Sequence, residues 1–187
     1  MARINKRREF IKNLTALGGV LGLAPLTISR MIGSDIVSPS FTDSSIYSKE
    51  NAVATMVSTW NHGIIANRAG FTALSKGGSA LDMIEAAARI VEEDVEGLSV
   101  GIGGLPDRDG IVTLDACCMD HTGRAGSVGA IQDIMHPLSV ARKVMEETPH
   151  VMLVGEGAKM FALDQGFTET NLLTEKAHTA WLRWMEK

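Results

Sequence analysis

Among the side chains that could do chemistry, one group stands together: Ser58, Thr59, Trp60, Asn61 and His62, running into Gly63. Hydroxyls, an amide, an imidazole and an indole in one short run have the composition of a pocket wall, where polar groups orient a ligand and an aromatic face packs on it. The other histidines are scattered. No Cys-x-x-Cys pair or His-Glu-x-x-His run gives metal-ligand spacing, so no metal or other cofactor is expected. No Gly-x-Ser-x-Gly elbow is present. Gly101, Gly103 and Gly104 precede a hairpin signal and not a helix, so they read as a tight turn rather than a phosphate cradle. Residue types alone mark where a ligand could sit, not what would react with it.

The elements around this run have uneven signals. Val53–Ser58 is short, apolar and partly β-branched, which predicts a buried strand leading into the Trp60 cluster. After Gly77-Gly78, Ser79 and Asp82 form a capping box, and Leu81, Ile84, Ala87, Ala88, Val91 and Val95 recur at helical spacing. Glu92, Glu93, Asp94 and Glu96 crowd the far end of that helix, against its dipole and without a local partner. Residues 97–110 form a glycine-rich loop closing on Asp109-Gly110, with strands predicted at 111–120 and 125–131 about a turn at His121-Thr122-Gly123. Pro137 opens a helix through Glu147. A short buried strand at 151–154, a helix at 155–163 ended by Gly166, and a last helix capped by Thr174 follow. Adjacent Cys117 and Cys118 would point to opposite faces of a strand, as free thiols and not a disulfide. This mixture predicts an α/β (or α+β) layered fold. Trp181 and Trp184, at i, i+3, should seek a partner surface.

Charge divides the chain. The head carries six of the Lys+Arg before residue 38; from Ser38 onward 12 Lys+Arg face 20 Asp+Glu, a net −8. The overall charge of −4 argues against a nucleic-acid binder. With 187 residues, 45% of them hydrophobic and 21% charged, disorder is excluded. Lys6-Arg7-Arg8-Glu9-Phe10 followed by a glycine-interrupted apolar stretch, too short for the ~20 residues of a span, resembles a twin-arginine export signal. The expected organisation is a signal segment at 1–37, a linker at 38–50 and a folded body at 51–187, destined for the periplasm or secretion.

Ser58-Thr-Trp-Asn-His-Gly63, Ser99-Val-Gly-Ile-Gly-Gly-Leu-Pro-Asp107, Thr113-Leu-Asp-Ala-Cys-Cys-Met-Asp120, Gly123-Arg-Ala-Gly-Ser-Val-Gly-Ala130 and Val154-Gly-Glu-Gly-Ala158 together resemble the glycosylasparaginases (aspartylglucosaminidases) among the N-terminal nucleophile hydrolases. The likeness runs from about Val57 to the C-terminus. Its Ser-Thr-Trp-Asn start differs from the related plant-type asparaginases, which have a glycine-rich run there.

The resemblance implies that this is the α-subunit part, half of a four-layer αββα sandwich. It also implies a partner: a β-subunit carrying the nucleophilic threonine, with two αβ units forming a dimer. In this family the freed threonine is nucleophile through its hydroxyl and base through its α-amino group, cleaving the side-chain amide of a glycosylated asparagine. No threonine here lies in the Asp-Thr-Ile-Gly context of that self-cleavage site, so the nucleophile is expected on polypeptide beyond residue 187. The site residues that carry over are Trp60, His62 and Ser99, as substrate-binding groups. His62 replaces an aromatic residue and His121 a glycine of the family pattern. Asp107, Asp115, Asp120 and Arg124 are expected to be structural. The alternatives are an L-asparaginase or β-aspartyl peptidase of the same superfamily, or a non-catalytic exported module that binds peptides or sugars through the Trp60 pocket. A lone half-sandwich exposes sheet edges and an apolar face, so residues 51–187 alone should dissolve poorly or self-associate.

Overall fold

A computed structural model describes residues 53–186. The expected signal segment and linker lie outside the described residues. Those residues are mixed α and β, with a three-stranded sheet and five helices among them.

Two helices come first: α1 (Gly63–Ser75) and α2 (Ala80–Glu92). They pack closely because Gly70 has no side chain; a Cβ there would lie 2.9 Å from the Met83 carbonyl oxygen. The capping box at the start of α2 forms as expected: the Ser79 amide donates to Asp82 Oδ2 at 2.7 Å, and the Asp82 amide donates to Ser79 Oγ at 3.2 Å. α1 itself has no side-chain cap and turns Ile64 and Phe71 to the surface.

Strands β1 (Leu114–Met119) and β2 (Ala125–Ile131) form the expected antiparallel hairpin. Its turn is closed by Asp120, whose Oδ1 accepts from the amides of Thr122 and Arg124 at 2.9 and 3.1 Å. The Thr122 hydroxyl is the main cause of a carboxyl held well below the usual range. Helix α3 (Pro137–Glu147) then crosses to β3 (Met152–Val154), which pairs parallel to β2. Helix α4 (Gly155–Asp164) ends where Gly166 adopts φ +87°, and α5 (Glu175–Met185) begins at Thr174, whose Oγ1 accepts from the Ala177 amide at 3.3 Å.

The core lies between the sheet and helices α3 and α4. Val128, Ile131, Val140, Ala141, Val144, Ala158 and Ala162 are fully buried in one cluster. Each such Val or Ile contributes roughly 1.5–3 kcal/mol by leaving water. Helix α3 presses on β2 at Gly126, where a Cβ would sit 2.1 Å from the Ala141 carbonyl oxygen and 2.6 Å from the Met145 amide nitrogen. Cys118, on the covered face of the sheet, is buried and its thiol is pushed up by that burial; Cys117, on the other face, is exposed.

Four expectations need correction. Residues 53–58 form no strand: Val53 and Val57 are exposed, and only Met56 tucks in, against Gly70, so the run buries too little to behave as a core strand. The strand near 151–154 is exposed rather than buried, since it is an edge with one face uncovered. A full helix stands at 63–75, after the polar cluster that ends at Gly63 and where no element is expected. The acidic end of α2 does have partners, one local and the rest distant: Arg89 lies 3.8 Å from Glu93, Glu92 meets His136 and Leu138, and Lys176 reaches Glu96 at 3.1 Å. Of the two tryptophans, Trp181 lies over the turn at Gly110, whereas Trp184 stays exposed.

Arg142 ties α3 to α2 through Asp82 (2.6 Å) and Glu85 (2.7 Å), with Glu146 on its own helix at 2.8 Å. Burial opposes its charge, but the three carboxylates outweigh this and raise its pKa. The Ser79 amide, helped by Arg142, lowers Asp82 to about 2. A carboxyl lowered on folding adds stability above its unfolded value of 3.8 and loses it as pH falls through about 2. The urea midpoint should therefore drop between about pH 4 and 2 less steeply in Asp82→Asn than in the parent. The difference is small because 40% of the Asp82 side chain meets solvent. Gly126→Ala should cost about 1–3 kcal/mol or more in denaturant unfolding by overpacking. Gly157→Ala on α4, where nothing lies within 4 Å, should be neutral or stabilising.

Candidate functional site

Trp60 is presented by a tight turn. The Gly63 amide donates to the Trp60 carbonyl at 3.1 Å, and Ala66 donates to His62 at 3.0 Å as α1 begins. Gly63 is required: a Cβ there would meet Ser58 Cβ at 2.8 Å. Ser58 Oγ is hydrogen-bonded to Asn67 Oδ1, fastening the start of the turn to α1. The closure puts Trp60 at φ +65°, the left-handed region that a bulky side chain rarely enters. Its indole is nonetheless 72% exposed. Local strain is thus spent on holding a large apolar ring in water, which core packing would never require. The ring is steadied by His62, with centroids 5.6 Å apart and planes tilted 58°.

His62 and Ser99 line one cavity of about 930 Å³ between the 55–63 segment, α2 and β1. Trp60 is not among its lining residues and reaches it through His62. The structure therefore brings all three expected residues to one region, two of them into the cavity itself. Ser99 belongs to the loop 97–104, which is pinned on its C-terminal side. The Ile102 amide donates to the Glu92 carbonyl at 2.9 Å, and Gly103 donates to Leu172 at 2.7 Å.

Much of the remaining wall is apolar, with Met56, Met83, Ala87, Val91 and Leu114 among its residues. Thr55, Thr59 and Thr113 also line it, but each lies within the chain, so its α-nitrogen is an amide and cannot act as a base. The arrangement can bind and orient a small ligand; among the described residues it assembles no nucleophile–base pair. Nor does any group of three or more His, Cys, Asp or Glu converge to hold a metal among those residues.

Asp107, Asp115, Asp120 and Arg124 serve the backbone or each other. Asp107 Oδ1 accepts from Asp109 and Ile111, Asp115 Oδ1 from Ala130 at 2.6 Å, and Arg124 Nε donates to Asp120 at 2.8 Å. Asp115 and Cys117 also line the cavity wall, as does a buried carboxylate that the sequence does not mark as a site residue. Glu92 lines the wall and is buried, and its signal was the unexplained acid at the end of α2.

Comparison with known proteins shows the family. A family model described as Asparaginase matches residues 44–187. The chain is 47% identical, over 97% of its length and 50% of the relative's, to N(4)-(Beta-N-acetylglucosaminyl)-L-asparaginase of Elizabethkingia miricola. It is 41% identical to the rat protein of that name, over 71% of this chain and 39% of the other. A Plant-type L-asparaginase of Pyrococcus horikoshii is 44% identical over 63% of this chain and 38% of its own. The chain thus spans half or less of the length of these relatives.

Replacing Trp60 separates a site role from a packing role. Trp60→Gly relieves the left-handed strain while losing the His62 contact, so its unfolding free energy should stay within about 0.5 kcal/mol of the parent. A core tryptophan truncation would cost about 3–5 kcal/mol in the same denaturant titration.

Proposed function

The chain belongs to the asparaginase family, and from that premise we propose that it is the binding half of an amide hydrolase of glycosylasparaginase type. The observation that carries this reading is a preorganised, exposed Trp60 beside a cavity that holds binding groups but no hydroxyl–amine pair. The 47% identity to a glycosylasparaginase across nearly the whole chain supports the substrate class. The half-length match supports a second half elsewhere.

In this reading the second half contributes a threonine at a free N-terminus. Its α-amine takes the hydroxyl proton, the oxygen attacks the side-chain amide carbon of a glycosylated asparagine, and a tetrahedral oxyanion forms. Collapse expels the nitrogen, protonated by the same amine, as a glycosylamine and leaves a β-aspartyl ester. Water, deprotonated in turn, hydrolyses the ester to aspartate and restores the threonine. Trp60, with His62 behind it, and Ser99 orient the substrate so that attack occurs in a fixed geometry. The amine suits the task because its ordinary pKa, about 7.7–8.0, is near working pH.

The open face of the sheet supports the partner. Cys117, Met119, Met152 and Val154 lie exposed on it, an apolar strip that a second sheet would cover in a four-layer αββα sandwich. Two such αβ units would form the dimer, and the basic head would direct export to the periplasm by the twin-arginine route. The Pyrococcus relative favours a second reading in which the substrate is free asparagine.

The purified chain should release no aspartate from aspartyl-glucosamine. Adding a separately produced threonine-bearing half should restore release, and Trp60→Ala or Ser99→Ala should lower kcat/KM at least about tenfold. Turnover by the chain alone would overturn the division of labour. Faster cleavage of asparagine than of the glycosylated substrate would favour the second reading.

A further inference from the structure

Glu92 is 4% exposed and sits on the last turn of α2, where the helix dipole disfavours a carboxylate. Its charge is met from another element. The Leu138 amide donates to Oε1 at 3.2 Å, and His136 Nδ1 lies 3.0 Å from Oε2. Leu138 carries one of the first amides of α3, which lack partners within the helix, and the His136 side chain does not cap it. A carboxylate from α2 therefore caps α3. The same residue's carbonyl accepts from Ile102, and Gly101 presses so close that a Cβ would lie 2.0 Å from that oxygen. Glu92, Ser99 and Leu138 all line the cavity.

We propose that Glu92 is a positioning residue: its carboxylate locks the end of α2 to α3, and its backbone thereby fixes the loop that presents Ser99. This deepens the reading above and rests on Ser99 being a binding residue.

His136 brings a second carboxylate to the lock. Its second nitrogen, Nε2, lies 3.3 Å from Glu93 Oε1. A neutral imidazole has one N–H and serves one carboxylate; the imidazolium serves both. Among the described residues the charged groups facing the ring are Glu92 and Glu93 of α2. Arg89, one turn earlier, lies 3.8 Å from Glu93 and donates to Ser139 of α3 at 3.2 Å.

Amide hydrogen exchange on the full chain tests this without substrate. Protection is taken relative to each residue's intrinsic rate, so that ordinary base catalysis cancels, at about pH 6 and about pH 8. The parent should protect Ile102 several-fold better at the lower pH. Glu92→Gln should lower Ile102 protection about tenfold at the lower pH and erase the pH difference, with Val144 inside α3 unchanged. Ile102 protection that matches the parent at both pH values would overturn the proposal. If Glu92→Gln also exposes Val144, His136→Gln decides: loss of the pH difference supports the lock, and its persistence overturns it. Absent amidase activity in the reassembled protein would sink the functional reading and leave this result standing. Activity with an unchanged Ile102 would do the reverse.

Discussion

Helix α3 rests on strand β2 backbone against backbone, with the Ala141 carbonyl occupying the place where a side chain at residue 126 would begin. Only glycine permits that distance, and much else follows from it. Val140, Ala141 and Val144 reach the sheet deeply enough to be fully buried with Val128 and Ile131. Strand alternation then assigns the neighbours of Gly126 and Val128 to the opposite face. Ser127 and Gly129 lie there, beside Cys117 on one side and Met152 and Val154 on the other. Among the described residues no helix covers the second face of this sheet. The apolar strip on that face is the direct counterpart of the tight packing behind it.

The candidate site does not hang on the sheet alone. Its two binding stretches, the Trp60 turn and the Ser99 loop, flank the helical hairpin of α1 and α2: one enters α1, the other leaves α2. Two joints hold that hairpin to the sheet side. Arg142 bridges Asp82 and Glu85 near the start of α2, and Glu92 meets His136 and Leu138 at its end. Both join α2 to α3, the helix most firmly seated on the sheet. The cavity lined by His62 and Ser99 is therefore placed, at one remove, by the contact at Gly126. The Arg142 pairs are partly open to water and weak individually, whereas Glu92 is buried. Here they fix the relative placement of elements whose packing is already favourable.

What the sequence revealed follows from whether the cause was local. The capping box at Ser79, proline at the head of α3, glycine after α4 and the Asp120 turn each act within a few residues, and each forms as read. Helix α1 was illegible because its inward residues are small: Gly63, Ala66 and Gly70 are buried while Ile64 and Phe71 face outward. That inverts the pattern by which an amphipathic helix is recognised. The run at 53–58 misled for the opposite reason, since apolar composition cannot say whether a ladder partner exists. The partners of Glu92 are more than forty residues away in sequence. Trp60 and His62 were legible as neighbours, whereas their proximity to Ser99 came from the family pattern and not from spacing.

The distribution of exposure argues for an interface rather than a loosely packed fold. A poorly formed domain would show partial burial throughout, with helices and sheet both half wet. Here Ile131, Val140 and Ala162 reach 0% exposure while Met119 on the other face of the same sheet stands at 63%. Close packing on one side and bare side chains on the other describe a finished layer that awaits a neighbour. The functional side chains obey the same asymmetry. Trp60 is strained into water, and the cavity beside it is walled by apolar side chains more extensive than a small polar substrate would require. Polypeptide that covered the open sheet would also wall this cavity. Structural completion and delivery of the attacking hydroxyl would then be a single event.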